Sequence, residues 1–315
     1  MRLTNNHNLE RVGVEAITFW DTSHDAGADY SITQLLDSPR VRLLREAHDD
    51  ELVEDVQERF FALLGSGVHK GIEFALEGLR ERDDLDPGMR DWIDGVETER
   101  RMWGELDGVT FSGQMDVYDK SLNAIIDFKT IATYESISKT AQKERREDRE
   151  EQLNAYAWLA RHNGLQVDAI GAMLFMRDWK RNQFEANYPE VPITTTWFDL
   201  WSDDKAEDFL RQRIAAHENA KQELPDCTPR EQWRSATTYA VMPPLNGQMR
   251  QNVVAIRARD PRTKELWTVR GHALAWMMAN APTGAWIEER SKPARCAGNW
   301  CSVSNFCTQY AAMKT

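Results

Sequence analysis

Apolar and polar positions change period several times along the 315-residue chain. From about residue 31 to 102 the apolar residues recur at helical spacing, which predicts helices broken by a loop at Asp83 to Pro87. Within that stretch Tyr30 to Pro39 reads as a serine-capped helix stopped near the proline, and Leu64 to Glu73 as a helix that starts on small residues. Phe111 to Tyr118 and Leu122 to Phe128 are short apolar runs, and the turn between them carries Asp119, Lys120, Ser121 and Asn123. They predict a hairpin over about 108 to 130. The polar segment 131–147 has no core face and predicts a mobile flap. A helix follows to about His162, closed by Asn163-Gly164, then strands at Val167 to Met176 and Thr194 to Trp201, and a Ser202-capped helix to about Gln222. Leu224 to Pro229 marks a break, so 1–225 and 226–315 are expected as core and lobe. Alternation in 236–270 predicts short strands around Asn246-Gly247.

The hairpin carries the candidate chemistry. In a strand, residues i and i+2 share a face, so Asp127 and Lys129 project together while Phe128 points away. Asp116 ends an apolar run on the partner strand. Two carboxylates, with the Phe128 carbonyl as a further hard oxygen, suit Mg²⁺ or Mn²⁺. Such a cation polarises a phosphate and acidifies water, and Lys129 stands ready to stabilise the charge that develops. That is an arrangement for cutting phosphodiester bonds. Acid-x-Lys is also a common pattern, and solvated hairpin charges are its plainer reading.

Two more pairs flank the hairpin. His69 and Glu73 lie four apart, hence on one helical face, and Gln152 and Tyr156 do the same downstream. The full order is Gly65-x-x-x-His69, Gly113-x-x-Asp116, Asp127-x-Lys129, Gln152-x-x-x-Tyr156. Over roughly residues 30 to 215 this resembles the RecB-like branch of the PD-(D/E)XK nuclease superfamily, which includes recombination helicase–nucleases, CRISPR-associated exonucleases and phage nucleases. The resemblance implies an α/β restriction-endonuclease-like core, a mixed central sheet flanked by helices, with a C-terminal cysteine-rich lobe. It implies His69, Asp116 and Asp127 as metal ligands, Lys129 as the catalytic lysine, and Gln152 and Tyr156 as DNA-positioning residues. An ordinary helix face is the rival reading for Gln152 and Tyr156.

All four cysteines lie beyond these motifs: Cys227, then Cys296, Cys301 and Cys307 as Cys-x4-Cys-x5-Cys. A tight trio in a chain otherwise free of cysteine points to a metal site more than to disulfides. Iron–sulfur RecB-like nucleases resemble this, but their trio is usually Cys-x2-Cys-x5-Cys, and a cysteine often stands where this chain has Ser38. The resemblance therefore implies a [4Fe–4S] cluster held by the trio and Cys227, with structural Zn²⁺ as the close rival and reduced thiols as the third reading.

Charge complicates a nucleic-acid partner, because the net charge is −12. Acids crowd Glu46 to Glu58 and Glu81 to Glu99, whereas Arg250, Arg257, Arg259, Arg262, Lys264, Arg270, Arg290, Lys292 and Arg295 face few acids. Local basic surface governs phosphate contact, so a basic groove is expected there, extended by Lys139, Lys143, Arg145 and Arg146. That last run, interrupted by Glu144, Glu147 and Asp148, reads equally as a solvated helix face, which is the preferred reading. The 12 tryptophans are read mainly as packing. No apolar run is long enough to span a membrane, and Met1 to Asn6 carries no secretion signal, so a cytoplasmic location is expected. The expectation is a metal-dependent exonuclease acting on DNA in recombination, repair or phage DNA processing, with a helicase or recombinase partner and an oligomer both admissible. A structure-specific or defence endonuclease, and a non-cleaving DNA-end-binding module, are the alternatives.

Overall fold

The computed structural model of the chain describes residues 1–19, 27–183, 187–234, 236–245 and 253–313, without the side chains of 139, 140 and 144. Its contacts divide the chain into two units, Met1–Pro225 and Asp226–Thr315. Among the described residues no helix is long and apolar enough to cross a membrane.

The first unit opens with β1 (Arg2–Thr4), α1 (Arg11–Phe19), β2 (Tyr30–Ser31), α2 (Ile32–Leu36), α3 (Pro39–Ala47) and β3 (Val53–Asp55). There follow α4 (Phe60–Arg80), α5 (Pro87–Asp94), β4 (Val96–Leu106), β5 (Val109–Asp119) and β6 (Ala124–Ile131). It closes with α6 (Thr133–Ile137), α7 (Lys139–His162), β7 (Ala169–Met176), β8 (Ile193–Phe198) and α8 (Asp203–Ala220). A six-stranded mixed sheet runs β2-β5-β6-β7-β8, with β4 on the other edge of β5. β2–β5 and β6–β7 are parallel pairs; β4–β5, β5–β6 and β7–β8 are antiparallel.

Period-two alternation builds a layer on each face of this sheet. In β7, Ile170, Ala172, Leu174 and Met176 pack with α2, α7 and α8, whose Leu35, Leu153, Leu159 and Leu210 are fully buried. Met173 and Phe175 point the other way and join Phe128 and Val117 against Ile72 and Leu76 of α4 and Ile93 of α5. Each fully buried Leu, Ile or Met contributes about 1.5–3 kcal/mol. The α/β expectation of a mixed sheet flanked by helices holds. The side chains needed for chemistry sit where the sheet opens between these layers.

The structure departs from several expectations. The stretch 31–102 is not all helix, because β3 and β4 interrupt it. β4 reads Val-Glu-Thr-Glu-Arg-Arg-Met-Trp-Gly-Glu-Leu, and as a sheet edge it carries charges without conflict, which hides it from apolar-pattern reading. The serine-capped helix is present as α2, capped by Ser31 and ending at Leu36, but Pro39 then begins α3 at its first position, where its missing N–H costs nothing. Gly65-Ser66-Gly67 lies inside α4, which starts at Phe60. The expected flap at 131–147 is helical: Ser138 caps α7, accepting the Ala141 N–H at 3.3 Å. Its first half is polar and largely exposed among the described residues; Leu153, Tyr156 and Leu159 in its second half anchor it.

The second unit contains β9 (Thr238–Met242), α9 (Arg270–Asn280), β10 (Trp286–Arg290), α10 (Ala294–Ala297) and α11 (Thr308–Met313). β9 pairs antiparallel with β10, and Val241, Trp267 and Ala273 form its small core. The expected turn at Asn246-Gly247 lies outside the described residues.

Candidate active site

The site is built where β5 and β6 part. Their antiparallel register runs Asp119↔Ala124, Tyr118↔Ile125, Val117↔Ile126 and then stops. Where the next ladder bond would fall, the Asp116 carboxylate replaces it: Oδ2 accepts the Phe128 N–H at 2.6 Å. The fork is thus held open by a side chain. The next residue outward on each strand is a carboxylate, Asp116 on β5 and Asp127 on β6.

Phe128 turns to the α4 side, its ring meeting the His69 ring edge-on at 5.7 Å. His69 Nε2 lies 2.9 Å from the Phe128 carbonyl and Nδ1 lies 3.4 Å from Asp116 Oδ1. A ring that donates from Nε2–H presents its Nδ1 lone pair to the site. Burial pulls the His69 pKa down, but the Asp116 carboxylate and the Phe128 carbonyl outweigh it and the net shift is upward.

Asp127 and Lys129 project to the opposite side, as strand alternation requires. Lys129 Nζ sits 3.0 Å from Asp127 Oδ1 and 2.8 Å from Oδ2. Burial opposes charge on Lys129, yet Asp127 and Asp116 together raise its pKa, so it is an ammonium. Burial, and beyond it the Asp116 charge, push Asp127 up against the pull of Lys129.

Sequence reading missed a third acid. Glu99 lies on β4 between the pairs Thr98↔Val117 and Arg100↔Met115, level with Asp116, and its φ of 51° is left-handed. Gln114 Nε2 donates to Glu99 Oε2 at 2.6 Å, and Arg101 in turn donates to Gln114. Burial first and Asp116 second push the Glu99 carboxyl upward. Among the described residues, His69, Glu99 and Asp116 are the group of potential metal ligands whose donor atoms all lie within 4.8 Å of one another. Asp127, expected as a ligand, is paired with Lys129 and lies outside this group. Phe128, expected to offer its carbonyl, offers it here to His69.

These residues fit a divalent cation. Burial first, and the Asp116 charge after it, push both Glu99 and Asp127 upward, and a bound cation would oppose that shift. One imidazole with carboxylate oxygens suits Mn²⁺ and tolerates Mg²⁺.

Gln152 and Tyr156 come together as their spacing predicts, Gln152 Nε2 donating to Tyr156 Oη at 3.2 Å. Tyr156 is also a core residue, 6% exposed, and lies directly over Gly113. A Cβ there would stand 2.8 Å from Tyr156 Cε1 and 2.9 Å from Leu159 Cδ1, which explains the glycine three residues before Asp116. Buried Asn154 fixes the helix, donating to Asp199 O at 3.0 Å and accepting from Trp201 N at 2.7 Å. Beside Lys129 a cavity of about 300 Å³ is lined by Thr130, Ile131, Glu135, Arg145, Asp148, Arg149 and Gln152. Arg145 therefore belongs to a cavity wall as well as to a charged helix face. Arg146 instead stacks over Phe198 at 4.9 Å.

In the second unit Cys296, Cys301 and Cys307 are buried and Cys227 is half-buried, all as free thiols. Burial, then Cys301 and Cys307, raise the Cys296 thiol. Cys227 is drawn to the turn after Cys307: its N–H donates to Gln309 Oε1 at 2.9 Å, and Gln309 Nε2 donates back to its carbonyl at 3.0 Å. Among the described residues, no three of the sulfurs lie within 4.8 Å of one another. A zinc–thiolate tetrahedron has edges of only about 3.8 Å. A multi-iron cluster accepts wider spacing because each thiolate binds a different iron. Of the basic residues expected to form a groove, Arg257 lies over the Trp276 ring at 5.3 Å and Arg290 pairs with Glu288 at 2.5 Å. Arg250 and the Lys139 side chain lie outside the described residues.

Comparison with known proteins gives one family match and several distant structural likenesses. Residues 46–161 match the family described as "PDDEXK-like domain of unknown function (DUF3799)". None of the curated proteins matches the chain. Among solved structures, the protein SSO0001 is similar at 15% identity and TM-score 0.44, covering 70% of this chain and 89% of that one. A phage-related exonuclease from Haemophilus somnus 129PT is 16% identical with TM-score 0.28, covering 69% and 84%. A protein named as a candidate exonuclease from Eubacterium rectale is 15% identical with TM-score 0.28, covering 56% and 71%. His69, Glu99, Asp116, Asp127, Lys129, Gln152 and Tyr156 all fall inside the family match. Residues 46–161, which hold the sheet's fork and its paired carboxylates, are thus similar to a PDDEXK-like domain over about a third of the chain.

Proposed function

We propose that the chain is a divalent-metal-dependent deoxyribonuclease that acts as an exonuclease in DNA recombination, repair or phage DNA processing. One observation carries this reading: three adjacent strands each bring a carboxylate, Glu99, Asp116 and Asp127, to the fork of the sheet, the first two beside His69 and the third paired with the half-buried Lys129 ammonium. His69, Glu99 and Asp116 would hold the cation, with Asp127 and the Phe128 carbonyl adjacent. When bound, the cation supplies positive charge to the scissile phosphate and acidifies water.

The protein's own groups do the rest. Asp127 keeps Lys129 charged and aimed, so that an ammonium faces the phosphate as negative charge grows on it. His69 is oriented by the Phe128 carbonyl. Tyr156, wedged between Gly113 and the core, gives Gln152 a fixed partner from which to position the strand. In-line attack of water on phosphorus expels the 3′-oxygen and leaves a 5′-phosphate. A [4Fe–4S] cluster on Cys227, Cys296, Cys301 and Cys307 would staple the second unit, with Zn²⁺ as the competing occupant.

The test uses end-labelled linear DNA, single- and double-stranded, with Mg²⁺ or Mn²⁺, beside Lys129→Ala and a closed circle. Degradation of linear DNA alone, lost in the variant, supports the proposal and reveals polarity. Cutting of the circle makes the protein an endonuclease. DNA binding without cleavage makes it an end-binding module.

A further inference from the structure

The cavity beside Lys129 shares Lys129 and Gln152 with the chemistry above, but its other charged groups, Glu135, Arg145, Asp148 and Arg149, have no part in it. At about 300 Å³ it has the size of a single small ligand, far below what an oligonucleotide needs. Its lining brings together three cationic groups, Lys129, Arg145 and Arg149, against two carboxylates, Glu135 and Asp148. That bias is opposite in sign to the chain's net charge of −12.

The carboxylates act as tethers. Glu135 on α6 pairs with Arg149, and Asp148 lies 3.5 Å from Arg145 Nη1, so both guanidiniums are held at the cavity wall without being engulfed. Arg145 keeps 45% of its side chain exposed. Gln152, one turn beyond Arg149 on α7, adds a side-chain amide to the lining. Guanidinium forks and an ammonium converging on a one-ligand space are the donors that a phosphate monoester requires.

We propose that this cavity binds a nucleoside 5′-monophosphate, the terminal unit released by the reaction, with its phosphate between Arg145, Arg149 and Lys129. This rests on the nuclease reading, and it deepens it. Hydrolysis that expels the 3′-oxygen yields a nucleoside 5′-monophosphate from a 3′ end directly, and from a 5′ end that carries a phosphate, as every 5′ end does after the first turnover. The cavity therefore serves either polarity. Because Lys129 borders both the carboxylate site and the cavity, a retained product places its phosphate against the ammonium that the next scissile phosphate must use. Product release is thereby coupled to the next turnover.

The proposal is tested on the full chain in excess chelator, so that no cation site contributes, with thymidine 5′-monophosphate, thymidine and inorganic phosphate as probes followed by calorimetry. Saturable binding of the nucleotide, absence of thymidine binding, and a loss of at least about tenfold in Arg149→Gln and in Arg145→Gln are expected. Arg146→Gln, whose guanidinium lies over Phe198, should bind as the unaltered protein does. Thermal melting verifies that each variant is folded, and the exposed Arg145 keeps the test valid if loss of the Arg149–Glu135 pair unfolds the chain. Failure of the nucleotide to bind, equal affinity for inorganic phosphate, or unchanged affinity in both arginine variants overturns the proposal. DNA cleavage measured separately keeps the two readings apart. Cleavage without nucleotide binding removes the cavity assignment alone, while arginine-dependent nucleotide binding without cleavage upholds the cavity and removes the nuclease.

Discussion

Asp116 Oδ2 accepts the Phe128 N–H at 2.6 Å, so the carboxylate of one strand is bonded to the backbone of the next at the point where their ladder ends. The same side chain serves the fork and the cation. Its two duties can be separated. Asp116→Asn keeps an oxygen for the Phe128 amide and removes the charge, so Mn²⁺ affinity and cleavage should collapse with little change in melting temperature. Asp116→Ala also strands the amide, which costs about 1–3 kcal/mol more. Isothermal titration with Mn²⁺ beside thermal melts of both variants decides it. Equal melting temperatures for the two would show that the fork does not need this bond.

Gly113 tests the packing under Tyr156. In Gly113→Ala the new methyl meets Tyr156 Cε1 at 2.8 Å and Ile32 Cγ1 at 3.0 Å, and an aromatic ring wedged in a core has little room to yield. The variant should lose about 1–3 kcal/mol, a drop of several degrees in melting temperature. Its cleavage rate should fall with the displaced Gln152–Tyr156 pair. A variant as stable and active as the original would mean that the ring moves freely.

His217 sets an acid limit on the first unit. It is fully buried, its Nδ1 accepting from Arg42 Nε at 3.0 Å and its Nε2 3.2 Å from the Leu35 carbonyl. Burial first and Arg213 second lower its pKa from 6.5 to about 4. The folded state thus binds this proton less readily than the unfolded chain. Stability is fully present above about pH 6.5 and is lost progressively as pH falls toward 4, by about 3 kcal/mol in all. Urea unfolding at pH 7, 5.5 and 4.5 follows that loss. A His217→Gln variant should start less stable and show a flatter pH dependence, and an equal slope in both would assign the acid sensitivity to other groups.

The cysteine unit makes a spectroscopic prediction. Anaerobically purified protein should absorb in the visible and carry about four irons per chain. Cys301→Ala should lose the colour and the cooperative melting of the second unit before it loses cleavage by the first. Colourless protein with one zinc per chain would install Zn²⁺ in place of the cluster.

Much of the core was legible from sequence because strand chemistry is local. Asp127-Phe128-Lys129 declares which residues share a face, and Asn163-Gly164 and Ser202 declare where helices end and begin. Glu99 was not legible. It carries no motif, it sits in an edge strand whose charges mimic a helix face, and it reaches Asp116 only through the β4–β5 register. Its left-handed φ leaves no mark on sequence. Arg145 and Arg149 were obscured for a related reason. On a charged helix they look like any solvated pair until α6 folds Glu135 across from them and makes a wall.

Helix α7 is one rod with two unlike halves. Its second half, from about Leu153, is locked into the core and to the loop after β8 by Asn154, whereas its first half meets water and the cavity. Substitutions in the first half can alter what is gripped beside Lys129 while the fold's hold on Gln152 and Tyr156 stays constant. The helix is therefore the natural place for variation in substrate handling to accumulate, and a library confined to residues 141–149 should yield folded proteins with altered nucleotide preference far more often than one drawn from residues 153–160.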